Sequence, residues 1–211
     1  MDSKMKKQCS QCRRAGIKLF LKGEKCYGTK CALIKRNFPS GEHGLNRRKA
    51  KKSVYGKQLA EKQRAKEIYG LRERQFSNYL KKANEKKGDT GEHLLNFLES
   101  RLDNIVFRMG LVSSRSAARQ LVNHGHVVVN SKKVDIPSFR AKVGDVVSIK
   151  ENSKKKRIFE KIQEKLAKND HIPSWLAVNP DNMSGKMLNA PTVENPGFDM
   201  KSIIEFYSRK I

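Results

Sequence analysis

The chain is expected to be an α+β protein, with an N-terminal four-cysteine metal knuckle and a helical domain ahead of a small helix-hairpin module with antiparallel strands. Three observations predict this. The 4 cysteines all fall between Cys9 and Cys31, helix-forming residues fill the text from Val54 to Ala83, and apolar periodicity changes from helical to strand-like between residues 101 and 150. The expected segments are 1–45, a knuckle and basic loop; 46–98, helical and RNA-binding; 99–165, the module; and 166–211, an extension docking back on the body.

Cys9, Cys12, Cys26 and Cys31 have the spacing C-x2-C-x13-C-x4-C, which two tight knuckles would bring together as a tetrahedral sulfur cage. Four thiolates suit zinc, a d10 ion that accepts tetrahedral geometry without penalty, and they leave no open position for a substrate. One structural Zn2+ is therefore the expected cofactor. Two disulfides, an iron–sulfur cluster and free thiols are the alternatives. Arg13, Arg14 and Arg36 lie around the ligands, so the metal would fix a positive loop too short to build its own core.

Pro39-Ser40-Gly41-Glu42-His43-Gly44 breaks the chain, and the run from Arg47 and Arg48 to Lys51 is expected to lie along phosphates. His43, alone in a glycine-containing turn, reads as a loop or RNA contact. From Val54 the residues favour helix, with Leu59, Ile68, Leu71, Phe76 and Leu80 as core and Gly70 separating two helices. Tyr69 and Tyr79 read as packing residues. Asp89 with Glu92 three residues on is a variant capping box ahead of Leu94, Leu95 and Leu98.

Leu102, Ile105, Val106 and Met109 recur at i, i+3, i+4 and i+7, which predicts a helix ending at Gly110. A second helix follows, capped by Ser113 or Ser114, burying Ala118, Leu121 and Val122, and stopping at Gly125. Arg115 and Arg119 stand one turn apart near its positive N-terminus, where a phosphate oxygen is well held. His126 to Val129 then predicts a strand, Asn130 to Lys132 a turn, Lys133 to Ile136 a return strand, and Val143 to Val147 a turn entering another strand. The charge cluster of Lys154 to Arg157 ends the module, and Ile158, Phe159, Ile162 and Leu166 then recur at helical spacing, which predicts a basic amphipathic helix. Trp175 is expected as a core anchor, Gly185 to Leu188 as a short strand, and Ser202 to Ser208 as a strand or short helix.

The composition points to a polyanionic partner. Lys and Arg number 46 against 21 Asp and Glu, a net charge of +25 on 211 residues, and basic residues occur in every segment. Hydrophobic residues make up 37% and aromatic residues 7%, so only modest cores are expected. No apolar run approaches the roughly 20 residues of a membrane span, and the N-terminus lacks a signal-peptide core. The expected location is the cytoplasm.

RLDN, SRSAARQLV, HGHVVVN and VGDVVSI closely resemble the RNA-binding module named after the fourth protein of the small ribosomal subunit. Together with the cysteine knuckles, PSGEHG, YGKQLAEKQ, IYGLRERQF, PSWLAVNPDNMSGK and the terminal IIEFYSRKI, nearly the whole chain resembles the bacterial-type family of that ribosomal protein. Ser40 and Glu42 depart from the family's usual PPGQHG, and many family members lack the cysteines. The resemblance implies a primary binder of small-subunit rRNA that clamps a multi-helix junction in the 5′ domain, nucleates assembly and contributes to translational accuracy. It further implies contacts with ribosomal proteins five and three and, in some bacteria, with the protein's own messenger RNA; it implies neither a membrane nor a small-molecule substrate.

On this reading the candidate RNA contacts in the first half are Arg13, Arg14, Arg36, Arg47, Arg48, Lys51, Lys57, Lys62 and Arg72. In the module they are Arg101, Arg108, Ser113, Ser114, Arg115, Arg119, Asn123, His124, His126, Asn130, Lys132 and Lys133. Shape would carry most of the selectivity, because side chains do not enter the deep major groove of A-form RNA. The competing reading is an RNA-modifying enzyme of the pseudouridine synthase kind, with Asp103 as nucleophile. Asp103 falls inside a predicted helix, where it reads as a surface or capping contact, and the rest of the chain leaves no room for a second domain with a sizeable core. No enzymatic activity is expected.

Overall fold

The computed structural model describes residues 8–45, 52–154, 159 and 172–208. The chain divides into two compact units, residues 1–76 with 195–211, and residues 77–194. The four expected segments are thus redistributed, since the C-terminal extension contributes to both.

In the first unit, α1 (Gln8–Ala15), α2 (Glu24–Tyr27) and α3 (Ala32–Lys35) surround the cysteines, and a 3-10 turn covers Glu42–Gly44. The PSGEHG loop closes on itself there. A Cβ at Gly44 would stand 2.1 Å from the Pro39 carbonyl oxygen, so only glycine fits. The long helix α4 (Val54–Ile68) starts at Ser53, whose hydroxyl accepts from the Gly56 N–H, and ends before Gly70, which takes φ 62°. After it comes α5 (Glu73–Asn84).

The buried face of α4 is not the apolar stripe expected from Leu59 and Ile68, which are half-buried. It consists of Gln58, Lys62 and Ala65. The C-terminal helix Met200–Ser208, described below as α10, covers this face with polar and aromatic partners. Gln58 donates to Glu205 at 2.7 Å, and the Lys62 ammonium bonds Glu73 at 2.8 Å while lying 4.5 Å from the Phe206 ring centre. Burial would raise the Glu73 carboxyl, but hydrogen bonds from Lys62, Lys66 and Tyr207 outweigh it and hold the pKa at about 2. Tyr69, as expected, packs, with its ring edge on Phe198.

The second unit begins with the later turns of α5 and continues through α6 (Thr90–Glu99), capped by Asp89, whose carboxylate accepts from the Gly91 N–H at 2.9 Å. This helix does not run on into the module. Ser100 and Arg101 interrupt it, and α7 (Leu102–Arg108) starts afresh. Next come α8 (Arg115–Asn123), β1 (Val127–Val129), β2 (Lys132–Lys133), β3 (Val146–Ile149), α9 (Glu151–Lys154), β4 (Leu176–Asn179) and β5 (Ser184–Met187). The last helix of the chain, in the first unit, is α10 (Met200–Ser208).

All strand pairs are antiparallel, in the order β2-β1-β3-β5-β4. Asn130 and Ser131, at φ 47° and 66°, make the two-residue turn between β1 and β2, as a mirror-image turn requires. The return strand is only two residues long. Val134 to Ile136, expected to extend it, lie outside any strand. β4 was not expected; it pairs with β5 from Leu176 opposite Met187 to Asn179 opposite Ser184.

The core between helices and sheet joins Leu102, Ile105, Val106 and Met109 of α7 with Ala118, Leu121 and Val122 of α8, and with Val127, Val129, Val147, Ile149 and Met187 of the sheet. Each fully buried Val, Leu or Ile contributes about 1.5–3 kcal/mol. Trp175, 2% exposed, anchors the chain ahead of β4, as expected. A Cβ at Gly185 would meet the Met109 side chain at 2.9 Å, so this glycine lets β5 lie close on α7. Phe159 is fully buried, but the rest of the expected amphipathic helix through Leu166, beyond Lys154, lies outside the described residues.

Candidate nucleic-acid interface

Two buried carboxylates organise the basic residues of α7 and α8. Asp103, 3% exposed, receives the Arg101 guanidinium through both oxygens, at 3.0 and 2.7 Å, and Arg119 at 2.8 Å. Arg101 also donates to the Tyr79 hydroxyl at 2.7 Å. Burial alone would lower the Arg101 pKa, but the bonds and charge of Asp103 raise it, so the guanidinium stays protonated. Glu99, fully buried, takes two N–H bonds from Arg108, at 2.9 and 2.8 Å, and one from the Asn104 amide at 2.7 Å. Arg115 donates to Asn104 at 2.8 Å, stands 3.9 Å from Glu99 and lies 4.5 Å from the Phe107 ring centre. The Arg115 and Arg119 side chains are therefore fixed by protein acids, each with a minor part of its surface exposed, 19% and 33%.

The exposed face of α8 carries Ser116, Gln120 and Asn123, preceded by Ser113 and followed by His124. These recur at helical spacing and bear no negative charge. Gly125, at φ 69°, ends the helix, and a Cβ there would stand 2.4 Å from the Lys133 side chain. The glycine thus lets the Lys133 stem cross the helix end and set its ammonium beside the last turn of α8. Lys132 and Lys133 are exposed on the short β2.

In the first unit, Cys9 and Cys12 lie one turn apart on α1, Cys26 lies in α2 and Cys31 precedes α3. This is helical rather than the expected knuckle geometry. All four are free thiols and line one small depression with Leu21, Lys22 and Leu33. Burial, and secondarily the charges of Cys26, Cys9 and Cys31, push the Cys12 thiol up, so the four sulfurs influence one another. The donor set suits a soft tetrahedral ion in kind. Among the described residues, however, no group of three or more His, Cys, Asp or Glu side chains stands in an arrangement that would hold a metal.

Residues 4–99 match the family described as "Ribosomal protein S4/S9 N-terminal domain", and residues 100–147 match "S4 domain". The small ribosomal subunit protein uS4 of Clostridioides difficile (strain 630) is 50% identical over 204 residues, 95% of this chain and 96% of its own length. That of Caldicellulosiruptor saccharolyticus is 50% identical over 203 residues, again covering 95% of this chain and 96% of the relative. The Thermotoga petrophila uS4 is 48% identical over 204 residues, with the same coverage. The chain belongs to the uS4 family.

Within this uS4-family chain the expected RNA contacts other than the acid-held Arg115 and Arg119 separate into three groups. Arg14, Arg36, Lys57, Arg72, Ser113, Asn123, His124, Lys132 and Lys133 are exposed. A second group is committed to the protein. Lys62 and Arg101, at 4% and 2% exposure, are interior residues and are removed as RNA contacts. Ser114, also buried, serves as the cap of α8, its hydroxyl accepting from the Ala117 N–H. Arg13 holds the Phe38 and Pro39 carbonyls, at 2.8 and 3.2 Å, and Arg108 is tied to Glu99. His126 shares a hydrogen bond with Ser153 at 3.0 Å, and Asn130 holds the hairpin by donating to Asp145 and accepting from the Val146 N–H. Arg47, Arg48 and Lys51 form the third group and lie outside the described residues.

Asp103 is neither the surface nor the capping contact expected from the sequence. A carboxylate already bonded by two guanidiniums inside the unit lacks the exposure a nucleophile needs, which removes the residue on which the uridine-isomerising alternative rested. Ser116 and Gln120 were missed, although i+3 and i+7 spacing from Ser113 identifies them. Glu99 and Asn104 were missed because nothing local marks an acid or amide as interior.

Proposed function

We propose that this chain is a structural, non-catalytic, rRNA-binding component of the small ribosomal subunit in the cytoplasm. The observation that carries the reading is the match along 95% of the chain to small ribosomal subunit proteins uS4, and a net charge of +25 supports an RNA partner. In the finer reading, the α8 face and the β1–β2 hairpin grip the sugar-phosphate surface where several helices of the 5′ domain meet. Binding there would nucleate assembly and contribute to translational accuracy, with ribosomal proteins five and three as neighbours and the protein's own messenger as a second ligand. Filter binding tests it. The chain should prefer protein-free small-subunit rRNA over tRNA at physiological salt, and Lys132→Ala with Lys133→Ala should reduce the slope of log K against log salt by about 1 per lysine. Equal affinity for tRNA would overturn the proposal.

The four thiols further lead us to propose that Cys9, Cys12, Cys26 and Cys31 close around one structural Zn2+, which would join three short helices that share little core. Ligation needs thiolates, and the raised Cys12 thiol makes binding release protons, so affinity should weaken as pH falls. Metal analysis of protein purified without added zinc should give one equivalent, and chelation should expose amides of residues 8–45 to hydrogen exchange and weaken rRNA binding. Unchanged protection after metal removal would count against the site, and bound iron with labile sulfide would replace zinc by a cluster.

A further inference from the structure

An aromatic pair on the first unit is assigned no role by anything above. Phe20 and Tyr27 face each other with ring centres 4.9 Å apart and planes inclined by 32°. Both are solvent-facing, at 40% and 71% exposure. Phe20 has φ 52°, a left-handed conformation that bulky side chains rarely adopt, and such departures collect where a side chain must be presented. The loop is held from behind. The Lys22 N–H donates to the Cys26 sulfur at 3.3 Å, Gly23 takes φ 66°, and the Cys26 N–H bonds the Gly23 carbonyl at 2.8 Å. The segment 17–30 that carries the rings also bears Lys18, Lys22, Lys25 and Lys30 against the single acid Glu24.

We propose that Phe20 and Tyr27 form a stacking platform for one unpaired nucleobase of the bound RNA, with the neighbouring lysines taking its flanking phosphates. Exposed rings in water cost free energy unless a flat apolar partner covers them, and an unstacked base has such a face in whatever sequence it stands. The positive surround favours a nucleotide over an apolar protein patch. This rests on the rRNA-binding reading and specifies a ligand contact within it.

The test uses the full chain and protein-free small-subunit rRNA. Tyr27→Leu, which keeps apolar bulk but removes the π face, should bind roughly tenfold more weakly with an unchanged salt slope, since no charge is lost. Phe20→Leu should weaken binding in the same direction. Tyr27→Trp should restore affinity, and the fluorescence of the introduced indole should be quenched on binding. In the wild-type complex one unpaired base should be protected from base-specific chemical probes and become reactive with Tyr27→Leu. Wild-type affinity for Tyr27→Leu, or a Tyr27→Trp variant no better than Tyr27→Leu, overturns the platform while leaving rRNA binding intact. Failure of the wild-type chain to prefer small-subunit rRNA over tRNA overturns both together.

Discussion

Asp103→Ala is expected to destabilise the 77–194 unit by about 3–5 kcal/mol, the range for removing one partner of a buried ion pair. The reason lies in what stays behind. Arg101 is 2% exposed, its guanidinium makes two bonds to Asp103, and the Tyr79 hydroxyl is a weak substitute for a carboxylate. A charge left in that setting must either be solvated by opening the structure or remain uncompensated. Arg119, one-third exposed, loses its acid as well but regains water. Asp103→Asn should cost less, because the amide oxygen still accepts one bond. Urea unfolding followed by circular dichroism measures the difference, and a midpoint within error of wild type would mean that Asp103 does not hold the guanidinium in solution. The same variant separates stability from binding. If Asp103 and Glu99 serve to present the α8 arginines, rRNA affinity should fall further than the folded fraction explains.

Affinity for small-subunit rRNA is expected to fall about 10³- to 10⁵-fold between about 50 and 200 mM salt, the loss associated with six to ten neutralised phosphates. Exposed Arg14, Arg36, Lys57, Arg72, Lys132 and Lys133 alone supply the lower part of that range. Each contact releases condensed counterions, and the entropy of release shrinks as bulk salt rises. Lys62 and Arg101 should not enter the slope, because their charges are already neutralised inside the protein. Lys62→Met should therefore change stability while leaving the slope at its wild-type value. A slope near −2 for the wild-type chain would mean that shape and stacking, rather than phosphate neutralisation, dominate the complex.

The contrast between Lys132 and Lys62 shows how far each kind of reading reaches. Where a stretch is amphipathic, local periodicity and the sense of each position agree. The stripes of α7 and α8, the stops at Gly110 and Gly125, the Asp89 and Ser114 caps and the Asn130 turn follow from residue order. An α+β class and a polyanionic partner were accordingly legible in the sequence, because each depends on neighbours within a few residues or on total charge, and the RNA module was legible as a resemblance. The interior of α4 and the fate of the arginines were not. A lysine four residues after a glutamine reads as a solvated face, until an aromatic ring from the C-terminal helix and a carboxylate from the next helix close over it. Glu99 and Asp103 likewise count as two negative charges in the sequence, yet in the fold they withdraw Arg101 from solvent and leave Arg108, Arg115 and Arg119 with only 26%, 19% and 33% of their side-chain surface exposed. Charge sums fix what the molecule attracts. Which charges remain available to attract it is decided by desolvation and by side-chain pairing, and those exist only once the tertiary structure has formed.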